Sequence, residues 1–129
     1  MDFFRGYVKT DGKKAVEGFK NVPLRTYAQV KKLDSYAGIL AEDAILIDVD
    51  DYEQSETLYK IVEDNELLCR VYETTRGKHF FFKNTRVSKC FTGAKLACGL
   101  TADIKCGKTN CYSILKKDGK ERKIIYDIL

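Results

Sequence analysis

The stretch "AILIDVDDYEQ", residues 44–54, constrains the chain more than any other. Four apolar residues, Ala44 to Ile47, run into three acids, Asp48, Asp50 and Asp51. Read as a strand, alternate residues share a face. Ile45, Ile47 and Val49 then pack to one side, and Asp48 and Asp50 stand together on the other. A strand this apolar should be buried, yet it ends in carboxylates that repel one another unless a cation lies between them. Hard oxygen ligands of this kind suit Mg²⁺. Asp51 reads differently. It precedes a helical pattern and Gln54 follows three residues later, the spacing of an N-cap.

The rest of the chain predicts the surroundings of that strand. "FRGYVKT" reads as a strand ended by Asp11-Gly12, and Pro23 as the opening of a helix over residues 24–33. "YAGILA" is a strand that turns at Glu42-Asp43. "YEQSETLYKIVEDN" has apolar residues at helical spacing, with Leu58, Ile61 and Val62, and stops at Asn65. Strand patterns follow in "LLCRVYETT", "KHFFFK", "AKLACGL", "TADIKC", "NCYSILKK" and "RKIIYDIL". Arg76-Gly77 and Asp118-Gly119 are their hairpin turns. This order predicts an α+β domain, with one mostly antiparallel, curved sheet and helices packed on one face. At 129 residues it is a single domain, residues 1–129. Its apolar end, "IIYDIL", is expected of an N-terminal part of a longer protein.

Charge is unevenly spread. Residues 1–64 carry nine basic and thirteen acidic residues, and residues 65–129 carry fourteen and six. An acidic focus beside a basic half suits a cation site next to a polyanion path, and it equally suits two solvated faces of opposite sign. No apolar run approaches the ~18 residues of a membrane span, and the N-terminus lacks a signal pattern, so a cytoplasmic protein without membrane contacts is expected. The five cysteines include no C-x-x-C pair and are expected as free thiols.

Two further stretches carry chemistry. In "LTADIKCG", Asp103 alternates with Ala102 and Ile104 and faces away from them, with Lys105 on its own side. In "YETTRGKHFFFK", His79, the only histidine, opens an aromatic strand, and Arg76 and Lys78 flank Gly77 just before it. Arg, Lys and His around a small-residue turn suit a triphosphate.

In order and spacing, the three motifs Asp48-Val49-Asp50, Gly77-Lys78-His79 and Asp103 resemble those of the archaeo-eukaryotic primase superfamily. The likeness is strongest to the small N-terminal primase domains of phage and prophage primase–helicase proteins, and covers roughly residues 5–126. It implies an RRM-like catalytic core and a primase-polymerase activity: template-dependent nucleotidyl transfer that makes primers on single-stranded DNA. Asp48, Asp50 and Asp103 would be catalytic ligands of two divalent ions, Mg²⁺ or Mn²⁺, and His79 a ligand of the nucleoside triphosphate. Arg76, Lys78 and Lys105 join His79 on charge and position, and Lys83, Arg86, Lys89 and Lys95 are expected on the DNA backbone. A replicative helicase, in the same polypeptide or complex, is the expected partner. Two other readings use the same residues: a non-catalytic RRM-like module that binds single strands and recruits a helicase, and a metal-dependent nuclease. Without bound cations, repulsion among the three acids is expected to raise some of their pKa values.

Overall fold

The computed structural model describes residues 2–84 and 86–129. In chain order the strands are β1 (Phe4–Asp11), β2 (Lys14–Ala15), β3 (Tyr36–Leu40), β4 (Ala44–Val49), β5 (Cys69–Glu73), β6 (Lys78–Lys83), β7 (Phe91–Lys95), β8 (Thr101–Cys106), β9 (Tyr112–Lys117), β10 (Lys120–Glu121) and β11 (Ile124–Ile128). Helix α1 (Tyr27–Val30) precedes β3, helix α2 (Tyr52–Asp64) follows β4, and a 3-10 turn (Gly107–Thr109) follows β8. The α+β class stands. The single curved sheet does not, because the strands form two antiparallel sheets. One has the order β11-β5-β6-β4-β8-β7 and the other β10-β9-β3-β1-β2.

The consecutive strands β3 and β4 lie in different sheets and occupy interior positions in both. Burial on two sides explains their apolar sequences. Tyr36 and Leu40 of β3 face Leu46, Tyr72 and Phe81 of the other sheet, with Phe3 and Phe4 filling the space between. Ala37 and Ile39 face the opposite way, under Phe19 and Leu24 of the β2–α1 connection. The larger sheet is covered on its second face by α2, whose Leu58 and Val62 pack on Val49, Val71, Phe80 and Ala102.

Local chemistry sets the element ends. Asp51 caps α2 as expected, its Oδ1 accepting from Gln54 N at 2.9 Å. The Gln54 side chain does not close a capping box. Its Oε1 accepts from Thr101 N and ties the helix start to β8. Asn65 ends the helix, donating from Nδ2 to Ile61 O. Asp118 and Gly119 both adopt positive φ and make the two-residue turn between β9 and β10, but β11, expected as the second strand of that hairpin, pairs with β5 in the larger sheet.

Two expectations fail for physical reasons. The helix over residues 24–33 is a single turn, because Arg25 pairs in extended form with Tyr7. Thr26 then starts α1 in a capping box with Gln29. The strand expected in "AKLACGL" is displaced as well. It runs over Phe91–Lys95, and Leu96–Gly99 close a tight turn through Gly99 N to Leu96 O.

Candidate active site

Strand β4 lies between β6 and β8, so Asp48 has cross-strand partners on both sides. They are His79 and Asp103. Directly opposed residues in antiparallel pairs share a face. One aspartate of the first motif is thus flanked by the histidine of the second and the aspartate of the third. Their face is the one turned from α2. Near Leu46 and Phe81 the smaller sheet covers it. Beyond them the sheets part, leaving a cleft of about 600 Å³.

Asp48, Asp50, Arg76, His79 and Lys105 all line this cleft. Gly77 makes the turn that brings Arg76 there. A Cβ on Gly77 would lie 1.8 Å from the Val49 carbonyl oxygen, so only glycine lets the turn rest on the Asp48–Asp50 backbone. Arg76 Nη2 lies 2.8 Å from Asp50 Oδ2, in an exposed ion pair. Asp103, across the strand pair from Asp48, turns its carboxylate to β7, where Oδ1 accepts from Gly93 N at 2.8 Å.

His79 is buried, and its contacts determine its protonation. Nδ1 lies 3.2 Å from Arg122 Nη1 and 3.2 Å from Ser113 Oγ. A guanidinium can only donate, so Nδ1 must be the unprotonated nitrogen. The ring proton is therefore on Nε2, 3.3 Å from Asp48 Oδ1. The neutral state agrees with the electrostatics. Burial pulls the imidazole below its ordinary pKa, Asp48 opposes that pull, and Arg122 and Lys105 add to it.

The expected rise in carboxylate pKa is not found at Asp48. Burial alone pushes it up, but His79, Lys105 and Arg122 outweigh burial and hold it below the usual carboxylate value. The hydrogen bond from His79, with Lys105 and Arg122 nearby, keeps ionised the acid that the sheet places beside Asp103.

The expectations for two lysines, Lys78 and Lys83, need correction, and the other basic residues expected on the DNA backbone lie apart from the cleft. Lys78 does not reach the cleft. It has the parity of Phe80, so it points to the α2 side and is 1% exposed. Its Nζ lies 2.9 Å from Glu56 Oε1 and 3.3 Å from Ser55 Oγ, with the Tyr52 and Tyr59 rings beside it. Lys83 is engaged at the far end of β6 by Asp43 and the Asp2 carbonyl. Arg86, Lys89 and Lys95 are exposed outside the cleft lining. Lys89 lies over the Phe91 ring, and Lys95 is on the edge strand β7.

The smaller sheet supplies residues that carry no motif, Arg122 and Ser113 foremost. Ser113 sits in the apolar run "YSIL", where one small polar residue was the available signal. Arg122 follows the β9–β10 hairpin and is one base among several in "KERK". No carboxylate lies within ion-pair distance of Arg122 or Lys105 among the described residues. Both charges are available to an anion in the cleft.

The acids suit a divalent cation in kind and in register, as hard oxygen donors on one face at adjoining positions. Their side chains are turned to three separate partners, and among the described residues no group of three or more His, Cys, Asp or Glu side chains converges on a metal-sized point. Two of those partners are readily given up: Arg76 is 71% exposed, and the Gly93 amide is in an exposed strand. No helix among the described residues is long and apolar enough to cross a membrane. No protein-family model, curated protein or solved structure matches the chain.

Proposed function

We propose that the cleft is the nucleotide-binding centre of a template-dependent nucleotidyltransferase, a DNA primase-polymerase that makes primers on single-stranded DNA during phage or mobile-element replication. One observation carries this reading: Asp48 lies between His79 and Asp103 on three adjacent strands, facing a cleft with the free charges of Lys105 and Arg122. The sheet bearing these residues would be the RRM-like core that the motif resemblance implies.

Asp48, Asp50 and Asp103 would hold Mg²⁺ or Mn²⁺. When bound, such ions lower the pKa of an attacking hydroxyl and stabilise a leaving pyrophosphate. The chain's own residues orient the nucleotide. His79 keeps its proton on Nε2 because Arg122 and Ser113 hold Nδ1, so the ring presents a single donor to a phosphate oxygen once Asp48 turns away. Arg76, Lys105 and Arg122 offset the triphosphate charge, and Arg76 leaves Asp50 to do so. Exposed Arg86, Lys89 and Lys95 are the candidates for template backbone contacts, and a helicase is the proposed partner in replication.

The test is primer synthesis by this chain on single-stranded template with labelled nucleotides and Mn²⁺, beside Asp50→Ala. Extension products from the wild type that vanish in the variant are expected, and products that persist would overturn the catalytic assignment. The separate pairing of the three acids favours a second reading, a non-catalytic single-strand-binding module. Such a module binds DNA equally well without divalent metal and after Asp50→Ala. Cleavage of labelled DNA in the absence of nucleotides would identify a nuclease.

A further inference from the structure

Three of the five free cysteines gather around Thr109, with Cys111 in the lining of the cleft, and the proposed chemistry uses none of them. Cys90 lies on the β6–β7 connection and Cys111 lies between the 3-10 turn and β9, 21 residues apart in sequence. Their sulfurs are 3.1 Å apart. The Thr109 hydroxyl sits between them, 3.1 Å from Cys90 Sγ and 3.2 Å from Cys111 Sγ. Cys106, the third, is buried, its sulfur 3.8 Å from the same hydroxyl. Cys98 is exposed in the β7–β8 turn, and Cys69 is buried in the core beneath α2.

Proximity separates this pair from ordinary free thiols. Two sulfurs already in contact need only a small rotation to bond, whereas Cys98 has no thiol partner among the described residues. Accessibility fits as well, with Cys90 exposed and Cys111 half-buried. We propose that Cys90 and Cys111 are a peroxide-responsive dithiol that closes to a disulfide at the rim of the cleft.

The step balances with a peroxide as oxidant. The Cys90 thiolate attacks one peroxide oxygen, the O–O bond breaks, and Cys90 becomes a sulfenic acid as the departing hydroxide takes up the proton that the thiol released and leaves as water. The Cys111 sulfur then attacks the Cys90 sulfur, the S–O bond breaks, and a second water is released with the Cys111 proton. Two thiols are oxidised by two electrons and one peroxide is reduced to two waters. The pair is divided for these roles. Burial would raise the Cys90 thiol, but hydrogen bonds from Thr109, Cys111 and Cys106 bring it below its ordinary value. Burial keeps Cys111 above its own. Cys90 is thus the first sulfur to ionise and Cys111 the one that resolves.

The bond would also bear on the cleft. Thr109, Asn110, Cys111 and Ser113 all line it, and Ser113 holds His79. A Cys90–Cys111 disulfide ties this wall to the β6–β7 connection.

The test uses the reduced chain, treated with a small excess of hydrogen peroxide, alkylated, and mapped by non-reducing peptide mass spectrometry. A Cys90–Cys111 cross-link and a mass loss of about 2 Da, both reversed by dithiothreitol, are expected. The cross-link should vanish in Cys90→Ser and persist in Cys98→Ser. Amide exchange over residues 109–113 should slow on oxidation in the wild type and stay unchanged in Cys90→Ser. A dominant cross-link through Cys98 or Cys106, or oxidation that halts at sulfenic acid on Cys90, would overturn the pairing. Unchanged exchange at 109–113 would overturn the link to the cleft. Neither readout depends on nucleotidyl transfer.

Discussion

Lys78 and His79 are neighbours in sequence and stand on opposite faces of β6, each beside an acid. Behind the sheet, Lys78 is sealed between α2 and the strand, and its ammonium meets Glu56, Ser55 and two tyrosine rings. In front, His79 is buried against an acid and a guanidinium at the wall of the cleft. The rear array satisfies its cation completely and has nothing left to offer a ligand. In the front array burial, aided by Arg122 and Lys105, keeps the imidazole neutral, and among the described residues neither cation has a carboxylate within ion-pair distance. The same strand thus carries a structural charge and a site charge one residue apart. What separates them is the opposite layer: a packed helix over Lys78, and over His79 the cleft wall that carries Ser113 and Arg122.

The largest test strikes both faces at once. Gly77→Ala forces a Cβ onto the Val49 carbonyl, displacing the turn that precedes Lys78 and His79 and the backbone between Asp48 and Asp50. A loss of about 3 kcal/mol in denaturant unfolding is expected. Wild-type stability in that variant would show that the turn has slack. Lys78→Ala separates the faces. It removes a fully buried stem and should cost about 2 kcal/mol, while the divalent-metal and nucleotide binding proposed for the cleft should be unaffected in titrations at permissive temperature. If nucleotide binding fell with stability intact, Lys78 would belong to the site after all.

His79 gives a smaller effect, read through pH. Its folded pKa lies below its unfolded value of about 6.5, so between the two the unfolded chain binds more protons. Stability is full above that window and falls as pH drops through it, by at most about 1.4 kcal/mol per pH unit. His79→Gln retains a donor for Asp48 and an acceptor for Arg122 and should flatten the melting profile between pH 7 and 5. An unchanged profile would mean that the imidazole is charged in the folded state. The smallest change is at Asp51, whose carboxylate only caps α2. Asp51→Asn should leave stability within a few tenths of a kcal/mol and Asp51→Ala should cost about 1 kcal/mol, by equilibrium unfolding. A loss of metal binding in Asp51→Asn would place that acid with Asp48 and Asp50.

Period-two alternation made the front of the site legible. Ile47 and Val49 against Asp48 and Asp50, and Phe80 against His79, are as the strands present them. The same rule places Lys78 with Phe80. Assigning it to a phosphate gave its closeness to Gly77 more weight than its parity. The second sheet was not legible, because nothing in Ala41–Asp43 distinguishes a change of sheet from an ordinary turn. Arg122 and Ser113 escaped for that reason: their role exists only once β9 is folded over the face that carries His79. Helix α1 was overestimated because the apolar spacing of Leu24 to Leu33 ignores the extended pairing of Arg25 with Tyr7.

The position of Arg122 also has a consequence for when the site comes into being. A growing chain that has reached Cys106 already contains the strands that align Asp48, His79 and Asp103. It still lacks Ser113 and Arg122, and nothing then donates to Nδ1 to keep the imidazole singly protonated beside Asp48. Strand β9 must thread in beside β3, laid down some seventy-five residues earlier, before that changes. Any ligand held only by the finished cleft would pull this late step forward, so the chain would complete its fold most readily in that ligand's presence.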